Sequence, residues 1–364
     1  MTIKDITSVI EELAPLQYAE DFDNVGLLVG NYATQVNGVL VTLDTLENVV
    51  DEAIEMNCNL IVSFHPIIFS GLKKLTGNTY VERVVLKAIQ HDIAIYAIHT
   101  ALDNSVKGVS AKMAEVLDLK NTQILLPKLG LIKKLTTYVP TNDAEKVRTK
   151  LHKAGAGAIG NYNDCSFNVQ GQGTFRGKEN SSPTIGKKGE LRTEDETFIS
   201  VIFEKHLENN ILKTLNECHP YEEVAYDIVT TDNVHQHIGM GMIGDLANLQ
   251  SEKDFFERLK EAFSLECIRH SKSLDRPIKK VAVLGGSGSF AIDAAKRAGA
   301  DIYISADFKY HDFYKAENQI VLADIGHYES EQFTKNLLAD YLKEKFRNFA
   351  IILSKSSTNP INYI

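Results

Sequence analysis

The sequence predicts an α/β fold in which the N-terminal and C-terminal halves of the chain build one layered, parallel-sheet domain and an α+β domain interrupts them. Two observations carry this prediction. Short apolar runs alternate with amphipathic helices in the first and last thirds, and this alternation stops in the middle third. Such runs, separated by helices, are typical of strands buried on both faces of a parallel sheet. The predicted segments are 1–127, 128–231 and 232–364.

The first third begins with a predicted helix over 3–13, because Ile6, Ile10 and Leu13 recur at helical spacing. Apolar runs and amphipathic segments then follow one another. The further predicted elements are a strand over 38–43, a helix over 46–56, a strand over 60–63, a helix over 81–90 and a strand over 93–98.

The last third repeats this alternation, so we expect it to supply the second half of the same sheet. The predicted elements are a strand over 280–284, a helix over 291–298, strands over 301–304 and 320–323, and a helix over 331–346.

The middle third has a different order of elements, which predicts an inserted domain. A polar, glycine-rich connection is expected over 171–189, and two helices are expected where Val147 and Leu151, and then Ile211 and Leu215, recur at helical spacing. The resulting β-α-β-β-α-β order is typical of ferredoxin-like domains. The strands in this order are predicted over 136–139, 165–169, 197–203 and 223–229.

Composition limits the partners and the compartment. The 48 acidic and 39 basic residues give a net charge of −9, which disfavours a broad nucleic-acid-binding surface. The first residues lack a cationic flank followed by an apolar stretch, and no run of 18 apolar residues occurs, so we expect a cytoplasmic protein without a membrane partner. The 4 cysteines form no C-x-x-C pair, so a thiolate zinc site is not expected.

Polar residues that follow the predicted strands form a candidate metal site. In open α/β sheets ligands bind beyond the carboxyl ends of the strands, where His65, Asp103, His327 and Glu331 all lie. His327 and Glu331 are four residues apart at the start of a helix, so they share one helix face. Imidazole and carboxylate ligands suit a divalent ion, zinc first, with manganese, iron or cobalt as alternatives. A surface His–Glu ion pair is the alternative for His327 and Glu331 alone.

A second candidate site is the glycine-rich turn at Gly286, Ser287 and Gly288. Together with Ala291 it matches the G-x-G-x-x-G/A pattern between a strand and a helix, and Asp307 follows the next strand at the distance of a ribose-binding acid. This predicts a cofactor-binding or anion-binding loop. A tight strand-to-helix turn that needs only small residues is the alternative.

Five segments of this sequence resemble the NGG-interacting-factor-three family, whose bacterial members are often named GTP cyclohydrolase 1 type 2 homologues. The resemblance extends over nearly the whole chain, and the middle domain is similar to the PII-like or CutA-like domain of longer bacterial members. The segments that carry the resemblance are 23–30, 63–69, 99–103, 285–288 and 326–331.

The resemblance implies a two-metal centre in a ring-shaped homohexamer. Carried over, His65 and Asp103 would hold one metal, His327 the second, and Glu331 would bridge them. Phe64 stands where the family has the first histidine of a His-His-Pro pair, and a phenyl ring cannot bind a metal. We therefore expect one or two divalent ions per chain, one held firmly and one weakly.

The leading hypothesis is a metal-dependent hydrolase acting on an unidentified small molecule or nucleotide, with Glu331 and His99 as its catalytic residues. His99 precedes Asp103 by four residues and is the candidate for orienting a ligand or moving a proton. An alternative is a non-catalytic metal-binding regulatory or interaction protein with a ligand-sensing insertion. A nicotinamide-dependent oxidoreductase, which rests on the Gly286 pattern alone, is a third hypothesis.

Overall fold

The structure is a computed structural model that describes residues 1–364. It divides into two units: 1–127 together with 237–364, and 128–236. The second unit begins at the residue expected for the insertion and continues beyond 231, the end expected from the sequence. None of the helices combines the length and the hydropathy needed to cross a bilayer.

The chain contains fifteen strands and eleven α-helices. The strands are β1 (Gly26–Val29), β2 (Val39–Thr42), β3 (Leu60–Ser63), β4 (Ala94–Ala97), β5 (Lys120–Pro127), β6 (Ile132–Pro140), β7 (Phe167–Arg176), β8 (Leu191–Glu204), β9 (Tyr226–Thr230), β10 (Gly239–Gln250), β11 (Arg269–His270), β12 (Ile278–Ser287), β13 (Ile302–Ala306), β14 (Val321–Asp324) and β15 (Ile351–Leu353). The helices are α1 (Ile3–Leu13), α2 (Glu47–Glu55), α3 (Tyr80–Gln90), α4 (His99–Asp103), α5 (Val109–Val116), α6 (Ala144–Lys153), α7 (Glu208–Cys218), α8 (Glu252–Phe263), α9 (Ile292–Arg297), α10 (His327–Glu331) and α11 (Thr334–Lys345).

Helix α1 shows how local sequence sets an element and its packing. Thr2 accepts a hydrogen bond from the backbone N–H of Asp5, and the Asp5 carboxylate accepts one from the backbone N–H of Thr2. This capping box pairs two N–H groups that would otherwise lack partners at the helix start. The apolar side chains on one face, among them Ile6 and Ile10, are fully buried against the first sheet.

The first sheet has the order β1-β4-β3-β2-β15. Four of its five strands, β4, β3, β2 and β15, run parallel. The fifth strand, β1, pairs antiparallel with β4 at the edge. Separate apolar clusters cover its two faces, one that includes α1 and α11 and one that includes α2 and α3. This burial on both faces explains the continuous apolar runs that predicted β2, β3 and β4.

The prediction of one sheet shared by both halves is wrong, because most strands of the last third belong to a second sheet. This sheet has the order β11-β14-β13-β12-β10-β5, with a parallel centre of β12, β13 and β14. The two sheets exchange edge strands, since the late strand β15 joins the first and the early strand β5 joins the second. An apolar run shows that a strand is buried, but it does not identify the neighbouring strand.

Other elements also differ from the sequence predictions. The helix expected over 331–346 corresponds to α11, which begins at Thr334, whereas Glu331 belongs to the separate short helix α10. The strand β10 and the helices α5 and α8 were not predicted. Helix α5 packs against β12, and α10 contacts both β12 and β13. These contacts bring α10 to the carboxyl ends of the central strands.

The insertion has the β-α-β-β-α-β order expected from its sequence. Its sheet has the order β7-β8-β6-β9 with all neighbours antiparallel, which is the split β-α-β topology. The connection expected over 171–189 is wrong in its first part, because β7 continues to Arg176 and includes Gly171 and Gly173. A likeness to PII-like or CutA-like domains stays a prediction.

Candidate metal centre

The carboxyl ends of the two sheets meet and bring three predicted ligands together. His65 follows β3 of the first sheet, whereas His327 and Glu331 belong to α10, which follows β14 of the second sheet. The ligand atoms of these three residues all lie within 4.8 Å of one another. The site expected at one sheet edge therefore lies between the edges of two sheets.

Glu331 is the centre of this cluster. Its side chain is 3% exposed, and its Oε2 lies 3.2 Å from Nε2 of His65 and 3.2 Å from Nε2 of His327. Apart from these two ring nitrogens, no donor reaches this oxygen. Burial raises the pKa of Glu331, but the two imidazoles lower it below its usual value, so the group is a carboxylate. A buried carboxylate oxygen between two ring nitrogens is suited to a shared cation.

Each of the two imidazoles also forms a hydrogen bond to a second carboxylate, through the ring nitrogen that does not face Glu331. Nδ1 of His65 lies 2.8 Å from Asp44 Oδ1, and Nδ1 of His327 lies 2.7 Å from Asp307 Oδ2. An ionised carboxylate can only accept a hydrogen bond, so each Nδ1 carries a proton and donates it. When the ring is neutral, its Nε2 lone pair then faces Glu331. This carboxylate–imidazole arrangement is typical of histidines that bind metals.

The two histidine rings carry protons that a bound cation would displace. Burial lowers the pKa of His65, but Asp44 and Glu331 raise it to about 10 overall. Burial likewise lowers the pKa of His327, and Asp307 and Glu331 raise it to about 11. Without a cation the carboxylates thus keep protons on the rings, and a metal ion would replace those protons as the positive charge. The donor set fits a divalent ion.

Asp103, His99 and Phe64 surround this cluster. Burial and the charge of Glu331 raise the pKa of Asp103 well above its usual value, although Asp103 is not among the three residues within 4.8 Å. His99 donates from Nδ1 to Asp23, at 2.8 Å, and its ring centroid lies 5.1 Å from that of His65. Phe64 is fully buried, with its ring centroid 4.8 Å from the His65 ring. Asp103 as a ligand and His99 as a catalytic residue stay predictions.

The glycine-rich turn lies against the cluster of His65, His327 and Glu331, and N–H groups of the turn are used within the chain. Gly286 donates its N–H to Ser330 Oγ at 2.9 Å, and Gly288 donates its N–H to the Ala306 carbonyl at 3.3 Å. The predicted ribose-binding acid, Asp307, accepts from His327 instead. These bonds do not favour Gly286, Ser287 and Gly288 as a cofactor-binding loop, because two of their donors are engaged.

A Cβ atom on Gly286 would lie 2.3 Å from Glu331 Oε1 and 3.3 Å from His327 Cε1. The absence of a side chain here leaves room for the Glu331 carboxylate. Gly286 also has a φ of +67°, which favours glycine. The glycine therefore makes room for the Glu331 carboxylate beside His327.

Sequence reasoning did not predict that Asp44 forms a hydrogen bond with His65 or that Asp23 forms one with His99. Asp44 lies just beyond the carboxyl end of β2, so the rule that selected His65 also selects Asp44. Asp23 follows no strand, and its carboxylate reaches His99 and Thr100 only through the folded chain. Hydrogen bonds from these two residues outweigh burial and lower the pKa of Asp23 to about 2.

Replacing Asp44 by asparagine should weaken zinc binding by about 10-fold to 100-fold, because a neutral amide orients and polarises His65 less strongly. Calorimetric titration of the metal-free protein measures this change. Asp118→Asn is the matched control, since Asp118 pairs with Lys120 on the surface, outside the cluster. Equal affinity in the two variants would contradict a supporting role for Asp44.

Comparison with known proteins adds the family. A family model described as Duf34/NIF3 (NGG1p interacting factor 3) matches residues 1–360. A Bacillus subtilis protein named GTP cyclohydrolase 1 type 2 homolog is 37% identical over 367 residues, covering 99% of this chain and 98% of the relative. A protein of the same name from Halalkalibacterium halodurans is 37% identical over 364 residues, with 99% and 98% covered.

Solved structures agree with this similarity. A Bacillus cereus protein related to NIF3 has a TM-score of 0.86 at 36% identity and covers 100% of this chain and 99% of its own. A Staphylococcus aureus protein has a TM-score of 0.80 at 30% identity, with the same coverage. The similarity therefore extends over both structural units.

Proposed function

Because this chain belongs to the DUF34/NIF3 (NGG1p interacting factor 3) family, we propose that it is a metal-dependent hydrolase in which His65, His327 and Glu331 hold one divalent cation. The observation that carries this proposal is the buried Glu331 Oε2, which lies 3.2 Å from two imidazole nitrogens and has no other partner. Removal of such a carboxylate from water is costly unless a positive charge compensates it. Asp103 is the candidate for a fourth ligand.

A cation bound there would supply Lewis-acid activation of water or of a substrate oxygen, which supports hydrolysis of phosphoesters, amides or ring C–N bonds. The residues of the chain orient the site. Asp44 and Asp307 set the rotation and tautomer of the two metal-facing imidazoles. Because Nδ1 of His99 donates to Asp23, its Nε2 is left to accept or deliver a proton beside the cluster.

Phe64 supports a centre with one firmly bound ion. Its ring is fully buried and packs edge-on against His99. It offers no ligand at the position where the family resemblance implies a histidine. In the two-metal set that the resemblance implies, the second cation would keep only His327 and the shared Glu331, and both are ligands of the single cation proposed here. The ring-shaped homohexamer expected from the resemblance stays a prediction.

The first test is metal stoichiometry followed by turnover. We expect the metal-free protein to bind about one zinc or manganese ion per chain with high affinity in calorimetry. The metal-loaded protein should then hydrolyse at least one member of a panel of GTP, other nucleotides, phosphodiesters and cyclic amides. GTP comes first because the relatives are named as GTP cyclohydrolase homologues.

The role of His99 is tested on whichever substrate is hydrolysed. His99→Ala should lower kcat by about 100-fold to 10,000-fold, the usual contribution of general acid–base catalysis, while zinc stoichiometry is unchanged. His91→Ala, at the exposed end of α3, is the control and should retain full activity. One tightly bound ion without turnover of any substrate would contradict the hydrolase and favour the metal-binding regulatory protein.

A further inference from the structure

The insertion has one sheet face that its own helices do not cover. Leu135 and Val201 point to the face that packs against α6 and α7. The opposite face carries a row of side chains in register across three strands, with Tyr138 opposite Phe198 and Phe198 opposite Val169. Tyr138 and Val169 are exposed. This face is therefore an apolar surface within a single folded unit.

A cavity of about 720 Å³ lies over this face. Two pairs of aromatic rings line it: Tyr138 with Phe198, with centroids 5.6 Å apart, and Phe175 with Tyr221, with centroids 5.8 Å apart. The segment 177–185 supplies further lining residues. The size and the aromatic lining are those of sites that bind small molecules.

Glu196 is the buried charge of this cavity. Its side chain is 8% exposed, and its Oε1 accepts one hydrogen bond, from the Tyr221 hydroxyl at 2.8 Å. Burial and the Glu196 carboxylate raise the pKa of Tyr221. Oε2 of Glu196 lies over Gly173, in the space that a Cβ atom would occupy. A buried carboxylate with a single neutral donor is costly and calls for a cation.

None of the nearby lysine and arginine side chains supplies that cation, and the buried His219 is neutral because its Nδ1 accepts from the Tyr221 N–H. Arg192 pairs with Glu194 at 2.8 Å, and Arg176 and Lys178 line the cavity without an ion pair to Glu196. Both oxygens of Glu222, which also lines the cavity, accept from a backbone N–H. Glu223, the third carboxylate of the lining, is exposed, so Glu196 is the buried acidic group that remains for a ligand.

We propose that this cavity binds a small organic cation, whose ammonium or guanidinium group pairs with Glu196 and lies against the aromatic rings. Aromatic faces attract cations, and a charge-assisted hydrogen bond to a buried carboxylate fixes the position of the donor. A neutral ligand would leave the carboxylate without a compensating charge. The site is separate from the metal cluster, because every residue that lines it belongs to the insertion.

Gly171 keeps this cavity open. It pairs with Glu196 across the sheet and so faces the same side. A Cβ atom at Gly171 would meet no atom within 4 Å, and its backbone is not in the left-handed region. A larger residue at this position would therefore extend into the cavity from a Cβ atom that contacts no neighbour.

The test uses the full chain and agmatine, which carries a guanidinium and an ammonium group. We expect saturable binding of one agmatine per chain in calorimetry. Glu196→Gln should weaken it by about 10-fold to 100-fold, the usual effect of losing a hydrogen bond to a charged group. Glu194→Gln, which makes the same chemical change on the same strand, should bind like the wild type. Gly171→Leu should block binding while Glu196 is kept.

Zinc binding is measured in every variant and should be unchanged, which separates this site from the metal centre and reports that the chain is folded. N-butylurea serves as a neutral probe of similar size and should not bind. The proposal is overturned if agmatine shows no saturable binding at millimolar concentration, if N-butylurea binds as well as agmatine, or if Glu196→Gln binds agmatine undiminished.

Discussion

Glu331→Gln should bring the zinc content of the purified protein from about one ion per chain to nearly none. Glu331 contributes the oxygen that both imidazoles approach, and the substitution removes its negative charge while it preserves its shape. When the binding free energy of a protein-bound zinc ion is divided equally among its ligands, the loss of one ligand lowers the affinity on the order of 100-fold to 1,000-fold. Elemental analysis and competitive zinc titration measure the loss.

Glu329→Gln provides a stringent control for this result. Glu329 lies on the same helix, α10, and is 9% exposed, and its carboxylate accepts from Asn359 at 2.9 Å. The control thus removes a buried charge two residues before Glu331 and leaves His65, His327 and Glu331 unchanged. If both variants retain zinc, or if both lose it, then Glu331 does not have the role assigned to it.

Gly286→Ala should destabilise the protein and weaken zinc binding, although the change adds one methyl group. The new Cβ would lie 2.3 Å from Glu331 Oε1, so the carboxylate must move away from its present position. Overpacking of this kind costs about 1–3 kcal/mol in the free energy of unfolding. The φ of +67° adds about 1–2 kcal/mol of backbone strain for a residue with a side chain.

Gly299→Ala separates these two costs. Gly299 has a φ of +73°, and a Cβ atom there would meet nothing within 4 Å. This variant should therefore show the backbone strain alone, with unchanged zinc affinity. Denaturant unfolding and zinc titration of both variants test the comparison. The same zinc affinity in Gly286→Ala as in Gly299→Ala would mean that the glycine does not shape the metal centre.

Several elements of the fold were predictable because their signals are local. The helical spacing of Ile6, Ile10 and Leu13 marks α1 with its observed bounds, and the apolar run at 60–63 marks β3. The strands that were missed have weaker signals. Strand β10 contains three glycines that interrupt its apolar residues, and the apolar run of β1 is only three residues long.

The candidate site was predictable in part for a related reason. His327 and Glu331 are four residues apart on one helix, so their proximity follows from the chain itself. His65 joined the set by its position after a strand. The assignment of Gly286 to a cofactor loop had a local basis as well, but the pattern does not show that the Glu331 carboxylate occupies the adjacent space.

The sequence by itself thus determined the α/β class, the element order of the insertion and the three residues of the candidate metal centre. Only the tertiary structure decided that two sheets rather than one form the first unit and that their carboxyl ends meet at Glu331. It also decided that Asp44 accepts a hydrogen bond from His65 and Asp307 accepts one from His327. The reason is physical: periodicity and helix spacing record which groups are buried and which lie within one turn. Contacts between strands and loops far apart in the chain depend on how the whole chain packs.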